Sequence, residues 1–415
     1  MESWQPSRLS IGSWVVYDLA NTIFALGVMG LYFPNWLVSE QGQRDISLSL
    51  TIFAAMAVVI FLGPWIGTRS DYAVRRLPYL VGTTLLAVSA TFFLATFPVI
   101  PTLALAAIAM IGVNLGSVVY DALLPDVSTP ANRGLVSGVG VGVGYLGSAV
   151  ALVAGVLVVD RLGYAPYFKI VAVLFLLFAL PAFFFIRERP RVARPNPPGI
   201  GSAVRHLVDS WRRAREYDGV SRFLVGRFLY TDSINTLVSG FMAIFALEEL
   251  RFSRSQVEQL LAVAIAASII GGLLGGRLVD RVGPRLVLHG ALYAWVLAMA
   301  VGIAAVYLDA PSLGWILGPV GGMALGATWA SDRVYMARIS PPAHYGEFYG
   351  LYATVGRFAT WMGPLLWGVI VDVLVLGRTV AMGALLVLIV IARAVLGGVD
   401  DRPRTWSEAD LQKMR

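Results

Sequence analysis

The chain has 415 residues, 57% of them hydrophobic and only 14% charged, with a mean hydropathy of +0.73; soluble domains are roughly 45–50% apolar and 25% charged, so an integral membrane protein is what remains. There is no cysteine, which removes disulfides, thiolate nucleophiles and Cys-ligated metals. A net charge of +7 is accounted for by membrane topology and anionic headgroups, with no need for nucleic acid.

Apolar runs of 18 or more residues recur between short charged loops, each long enough to cross a ~30 Å hydrocarbon core as a helix. Twelve such spans are predicted. In chain order they cover 11–38, 47–68, 77–97, 101–124, 134–159, 164–186, 222–247, 255–278, 284–308, 312–338, 346–374 and 379–398. The first run, about 28 residues long, holds Asp18 and lacks a small-residue cleavage site, so it reads as a retained helix and not a signal peptide.

Arg69, Arg75, Arg76, Arg133, the cluster from Arg187 to Arg215, Arg277, Arg281 and Arg285 fall in alternate loops. The others carry only Arg44, Arg161, Arg251, Arg254 and Arg378. By the positive-inside rule both termini are cytoplasmic, in a cell (inner) membrane. The expected organisation is a six-helix bundle over 1–186, a cytoplasmic linker over 187–221, a second bundle over 222–400 and a cytoplasmic tail over 401–415. In the linker, Pro195 to Gly201 stops any helix. After it Ile200, Val204, Leu207, Val208 and Trp211 sit at helical spacing among Arg205, Arg212, Arg213 and Arg215, the pattern of a helix lying on headgroups. Span 5 is dense in small residues, Gly138, Gly140, Gly142, Gly144, Gly147 and Gly155, which let helices approach closely in lipid; tight packing and a sliding surface are both compatible with it.

Two repeats mark a duplication. Asp18-x-x-Asn21-Thr22 returns as Asp232-x-x-Asn235-Thr236, and Gly67-x-x-x-Asp71-x-x-x-Arg75-Arg76 returns as Gly276-x-x-x-Asp280-Arg281-x-Gly283-x-Arg285. The offsets, 232 − 18 = 214 and 280 − 71 = 209, describe one duplicated unit. Duplication with polar groups at membrane depth is the pattern of a secondary transporter.

An ionised side chain near the bilayer centre costs at least ~2.5–3.5 kcal/mol, so each needs a partner or a purpose. Asp18 and Asn21 on span 1, Asn114, Ser117 and Asp121 on span 4, and Asp232 and Asn235 on span 7 each fall on one helical stripe. Span 10 adds Asp332 and Arg333, span 7 Arg227, and span 11 Arg357. Spans 1 and 7 reach their Asp after roughly 8 to 10 residues, or ~12–15 Å of rise, which sets the acids in the cytoplasmic half.

Two readings stand side by side. In one, Asp18, Asn21, Asn114, Asp121, Asp232, Asn235 and Arg357 bind a small polar solute and an Asp exchanges a proton; in the other these groups are ion pairs and hydrogen bonds that stiffen the cytoplasmic end. Asp18 and Asp232 are the proton candidates by elimination: arginine does not deprotonate, the two lysines are Lys169 and Lys413, and the histidines, His206, His289 and His344, lie at loops or helix ends. Sodium held by Asp plus Asn is an open alternative. Arg227 and Arg333, near helix ends, read as snorkelling or gating residues, with Asp332 beside them. Asp71, Arg75, Arg76, Asp280, Arg281 and Arg285 read as a conformational lock. Trp329, Trp361 and Tyr145 fit packing or an interface belt better than a substrate path. No metal or cofactor is expected, and an enzyme is argued against: there is no His-Glu-x-x-His and no Ser/His/Asp set at one depth.

The Gly67 to Arg76 and Gly276 to Arg285 segments resemble the signature loops of the major facilitator superfamily; the first copy departs from it with Tyr72 in place of a basic residue and Val74 in place of Gly. More narrowly, Tyr17-Asp-Leu-Ala-Asn-Thr-Ile-Phe24, Tyr120-Asp-Ala-Leu-Leu-Pro-Asp126, Phe228-Leu-Tyr-Thr-Asp-Ser-Ile-Asn-Thr236, Gly346-Glu-Phe-Tyr-Gly-Leu-Tyr352 and Gly363-Pro364 resemble elements of its vacuolar amino-acid effluxer-like branch. Asp121 stands where that branch has Asn, and Ser331-Asp-Arg333 where it has Ser-Arg-Ser. The resemblance implies an all-α membrane fold of twelve helices in two pseudo-symmetric six-helix bundles, working by alternating access. It also implies a small polar or zwitterionic solute, amino acid-like. Membrane lipids as surroundings, a proton as coupling ion and a monomer are expected alongside it. Proton-driven export of amphipathic drugs or lipids is the alternative; a non-transporting receptor or assembly factor is the alternative of another class.

Overall fold

The structure, a computed structural model, describes residues 5–129, 133–189, 200–340 and 345–402. Among them every regular element is helical. The helices are α1 (Arg8–Phe24), α2 (Tyr32–Asn35), α3 (Asp45–Tyr72), α4 (Leu77–Phe92), α5 (Val99–Leu123), α6 (Arg133–Leu162), α7 (Tyr164–Phe185), α8 (Ile200–Glu216), α9 (Val220–Thr236), α10 (Met242–Glu248), α11 (Arg254–Val282), α12 (Pro284–Tyr307), α13 (Leu317–Ile339), α14 (Tyr345–Phe358), α15 (Met362–Gly368) and α16 (Arg378–Gly397). Helix is found at each predicted span. Among the described residues eight stretches are long and apolar enough to cross a membrane unaided: 8–40, 45–72, 99–123, 142–162, 164–185, 254–282, 284–307 and 378–397. The other predicted spans are the short α4, spans 7 and 11, which are divided into shorter helices, and span 10, which carries Asp332 and Arg333.

Four spans are not single α-helices; span 10 opens with a 3-10 stretch at Pro311–Ile316 before α13. Span 1 continues from α1 through wide π-type turns at Ala25–Gly30 and Trp36–Glu40 on either side of α2. Span 7 kinks after α9, where Gly240 takes φ +100°, a conformation only glycine adopts without strain. Span 11, expected as one helix over 346–374, is broken between α14 and α15. Pro364 stands at the break: it has no N–H to give the Thr360 carbonyl and its ring crowds that carbonyl, which weakens the helix at Ala359–Trp361, although α3 and α7 run on through Pro64 and Pro181.

The chain forms two compact units, 1–204 with 238–244, and 205–237 with 245–415. In the first, α1 lies along α6 on the stripe Gly140, Gly144, Gly147 and Gly155. A Cβ at Gly140 would meet the Trp14 ring, one at Gly144 the Asp18 carboxylate, one at Gly147 the Leu19 carbonyl and Thr22 hydroxyl, and one at Gly155 the Tyr32 ring. Gly142, off the stripe, has open space. Buried aromatic rings, Phe24 with Phe175 and Tyr32 with Tyr167, join the same stretch of chain to α7.

In the second unit the closest helix pair is α11 with α13, seated glycine to backbone through Gly271-x-x-x-Gly275 and Gly322-x-x-x-Gly326: a Cβ at Gly275 would lie 2.9 Å from the Ala327 Cα, and one at Gly322 would meet the Ala264 carbonyl. Leucine gains little over lipid in a bilayer, so small residues supply the close van der Waals packing. A capping box of Ser253 and Gln256 starts α11. The linker helix is α8, with Arg205, Arg212, Arg213 and Arg215 exposed and Ala214 buried. Of the stretch Pro195 to Gly201 expected to stop a helix, 195–199 lie outside the described residues, as does the tail beyond Arg402, while Ile200 and Gly201 open α8.

Candidate functional site

The second unit carries a polar centre at the break in span 11. The last carbonyls of α14 and the first N–H groups of α15 have lost their helical partners there, and α9 supplies replacements. Asn235 donates through Nδ2 to the Ala359 carbonyl (2.9 Å) and to the Thr360 hydroxyl (3.0 Å). Asp232, wholly buried, turns its carboxylate toward the backbone of Met362 and Gly363 at the start of α15. No hydrogen bond of normal geometry reaches either of its oxygens. Thr236 lies against Gly363, where any side chain would collide with it. The motif Asp232-x-x-Asn235-Thr236 is thus fitted, one turn after another, to a broken helix.

One turn earlier on α9, Arg227 reaches Asp332 on α13 at 2.6 Å, with both side chains under one-tenth exposed. Tyr230 donates to the same carboxylate oxygen at 3.3 Å. The guanidinium lies 3.7 Å from the Tyr352 ring centroid and passes through the gap left by Gly356. Arg227 therefore does not snorkel: a buried carboxylate and an aromatic face hold it inside the unit, which spacing alone did not disclose. Arg333 is exposed and Arg357 half-buried.

In the first unit the repeated motif meets an unbroken helix. Asp18, half-buried, faces Gly144 of α6, Thr22 donates to the Gly144 carbonyl, and the buried Asn21 Oδ1 has no partner. Where the second unit has an ion pair, the first has a stack: the Trp14 and Tyr120 rings lie 4.4 Å apart and nearly parallel. Each also bonds the other's backbone, Trp14 Nε1 to the Tyr120 carbonyl and the Tyr120 hydroxyl to the Trp14 carbonyl, both at 3.2 Å. Tyr17 pairs with Thr84 at 2.7 Å. Tyr120 lies within electrostatic reach of both Asp18 and the exposed Asp121. Asn114 and Ser117 bond carbonyls of their own helix, Met110 and Val113.

The signature loops are built on helix ends. Arg76 pairs with Asp71, donates to the Ala122 carbonyl at 2.6 Å and lies 3.6 Å from the buried Asp126. Glu188 accepts from the backbone N–H of Arg76 (2.6 Å) and Leu77 (2.9 Å), capping α4. In the second unit Asp401 accepts from the Arg285 N–H at 3.1 Å beside α12, with Arg338 at 3.9 Å. Arg75, Asp280 and Arg281 are exposed. The two caps were missed in the sequence, although each acid stands just after the last helix of its half. Among the described residues no cluster of His, Cys, Asp or Glu could hold a metal ion.

Duplicated sets of apolar helices, each carrying buried polar groups, fit a multi-pass membrane transporter of the major facilitator type, and solved transporters share the fold. The nucleoside transporter NupG is 12% identical with a TM-score of 0.73, covering 94% of this chain and 99% of that one. A bacterial homologue of the human lysosomal transporter Spinster, inward-facing and unoccupied, is 17% identical with a TM-score of 0.67, covering 94% and 95%. Residues 44–405 match the family described as vacuole effluxer Atg22 like, and the chain belongs to that family. The uncharacterized MFS-type transporter YxiO of Bacillus subtilis (strain 168) is 27% identical over 95% of both chains. Autophagy-related protein 22-1 of Penicillium rubens is 26% identical over 57% of this chain and 44% of its own length. These are transporters and not enzymes, so a small-molecule cargo and a lipid environment come with the family.

Proposed function

We propose that this chain carries a small polar or zwitterionic solute, amino acid-like, across a cell inner membrane by alternating access, coupled to a proton exchanged at Asp18 or Asp232. The observation that carries the reading is Asp232: a fully buried carboxylate, with no hydrogen bond of normal geometry, beside a break in a membrane helix. A helix start offers N–H groups and a positive dipole end, a helix finish offers carbonyls, and such discontinuities are where transporters hold charged groups of their cargo. Arg357 suits a carboxylate on the solute, Asp18 or Asp232 an amine, and Asn21, Asn114, Asp121 and Asn235 supply further polar contacts. Arg227, Asp332, Arg333 and the signature-loop residues Asp71, Arg75, Arg76, Asp280, Arg281 and Arg285 act as the gate. The family's description as effluxers favours export, and the arginine distribution favours cytoplasmic termini; the chain is taken to work as a monomer.

A thermal-shift screen of the purified protein against amino acids, sugars, lipids and cationic dyes selects the solute, and uptake in proteoliposomes then tests the site. Asp18→Asn and Asp232→Asn should each depress pH-driven uptake while remaining folded. Retained, pH-driven uptake in both would end the assignment. The cysteine-free background lets single cysteines at Ser7 and Asp309 report orientation, with Ser7 labelled only from the cytoplasm and Asp309 only from outside.

A further inference from the structure

A second polar feature lies away from the centre just described, on the flank of the second unit. The start of α12 and the end of α16 enclose a cavity of about 470 Å³ lined by Arg285, Leu286, His289, Tyr293, Arg393 and Asp401. It is amphipathic by depth. His289 lies one turn into α12 and Arg393 one turn before the end of α16, so both sit ~6–8 Å from the helix ends, beside the arginine-bearing signature loop. Leu286 and Tyr293 are 63% and 53% exposed, a surface that meets acyl chains when the helices lie in a bilayer.

The polar atoms of this cavity are unevenly satisfied. His289 Nε2 and Arg393 Nε are buried without a hydrogen-bond partner, and buried donors left in that state are costly unless a ligand or water completes them. The Arg393 guanidinium lies 4.2 Å from the Tyr293 ring centroid, which fixes it at this level. The one acid, Asp401, is occupied with the Arg285 backbone and Arg338, and Arg285 spends one N–H on the Gly397 carbonyl at 2.8 Å. Two cations, one engaged anion and two orphan nitrogens leave the cavity complementary to an anion.

We propose that this cavity binds the headgroup phosphate of an anionic glycerophospholipid from the cytoplasmic leaflet, the phosphate on Arg393, His289 and Arg285 and an acyl chain along Tyr293 and Leu286. A basic pocket between transmembrane helices at the inner surface is the kind of site that holds anionic headgroups. A soluble phosphate shares the head chemistry but has no use for the exposed apolar wall. The inference stands independently of which solute is carried.

Native mass spectrometry of the full chain in detergent, titrated with phosphatidylglycerol and phosphatidylcholine, reads the preference directly. Wild type should retain the anionic lipid selectively, and Arg393→Gln should lower that preference by about fivefold. Arg277→Gln, which removes an exposed arginine on α11 outside the cavity, should not. An unchanged preference in Arg393→Gln, or an equal fall in Arg277→Gln, would overturn the site. A photoactivatable phosphatidylglycerol on the unmutated protein should label residues 285–293 or 389–397; labelling confined elsewhere would overturn it without reliance on any variant's folding. Displacement of the label by inorganic phosphate as readily as by lipid would assign the cavity to a soluble anion and defeat the lipid reading.

Discussion

The two halves place different chemistry at neighbouring positions of the repeat. The motif offset of 214 carries Trp14 to 14 + 214 = 228 and Tyr17 to 17 + 214 = 231, so Arg227 and Tyr230 each stand one residue before those positions. Where the first unit joins α1 to α5 by the Trp14–Tyr120 stack, the second joins α9 to α13 by the Arg227–Asp332 ion pair. The partner helices diverge in the same way: α6 runs unbroken along its glycine stripe, while span 11, at the same place in the repeat, is broken at Pro364. A duplicated scaffold tolerates an aromatic and a charged way of joining the same helices, and the break beside Pro364 turns a packing surface into a polar one.

The largest expected effect follows from that substitution of charge for aromatic. Arg227→Met leaves Asp332 buried and uncompensated and should cost about 3–5 kcal/mol, read as a large fall in thermal unfolding temperature in detergent. The double variant Arg227→Met with Asp332→Leu should recover most of it, because the stacked pair in the other half already fills this joint without charge. A double variant no more stable than the single one would mean that the ion pair is a structural necessity and the equivalence is false. A second, smaller effect separates the faces of α6: Gly147→Val overpacks the Leu19 and Thr22 contact and should cost about 1–3 kcal/mol, whereas Gly142→Val, facing open space, should stay within about 0.5 kcal/mol. Equal effects would deny the glycine stripe its role. The smallest concerns the caps: Glu188→Ala and Asp401→Ala should each lose about 0.5–2 kcal/mol, and a cost confined to one of them would show that the halves do not share this device.

Much of this was legible in the residues. The spans, the duplication and the stripes carrying Asp18, Asn21, Asp232 and Asn235 follow from hydropathy and helical period, because lipid forces every backbone group into a helix. What stayed hidden is long-range pairing. Nothing in spacing links Arg227 to Asp332 across about a hundred residues, so its proximity to a helix end suggested snorkelling. The break in span 11 had a visible marker, Pro364 one residue after Gly363, but its consequence, the seating of Asn235 and Asp232 on the two new helix ends, needed the fold.

The most direct test compares exchange with accumulation in proteoliposomes holding Asp232→Asn. Solute exchange at equal pH on both sides requires binding and reorientation but no net proton release, so with Asp18 left to hold the amine it should persist, while accumulation driven by a pH gradient should collapse toward the protein-free level. Accumulation that follows the gradient as in the unmutated protein would contradict the assignment of the coupled proton to the carboxylate at the helix break.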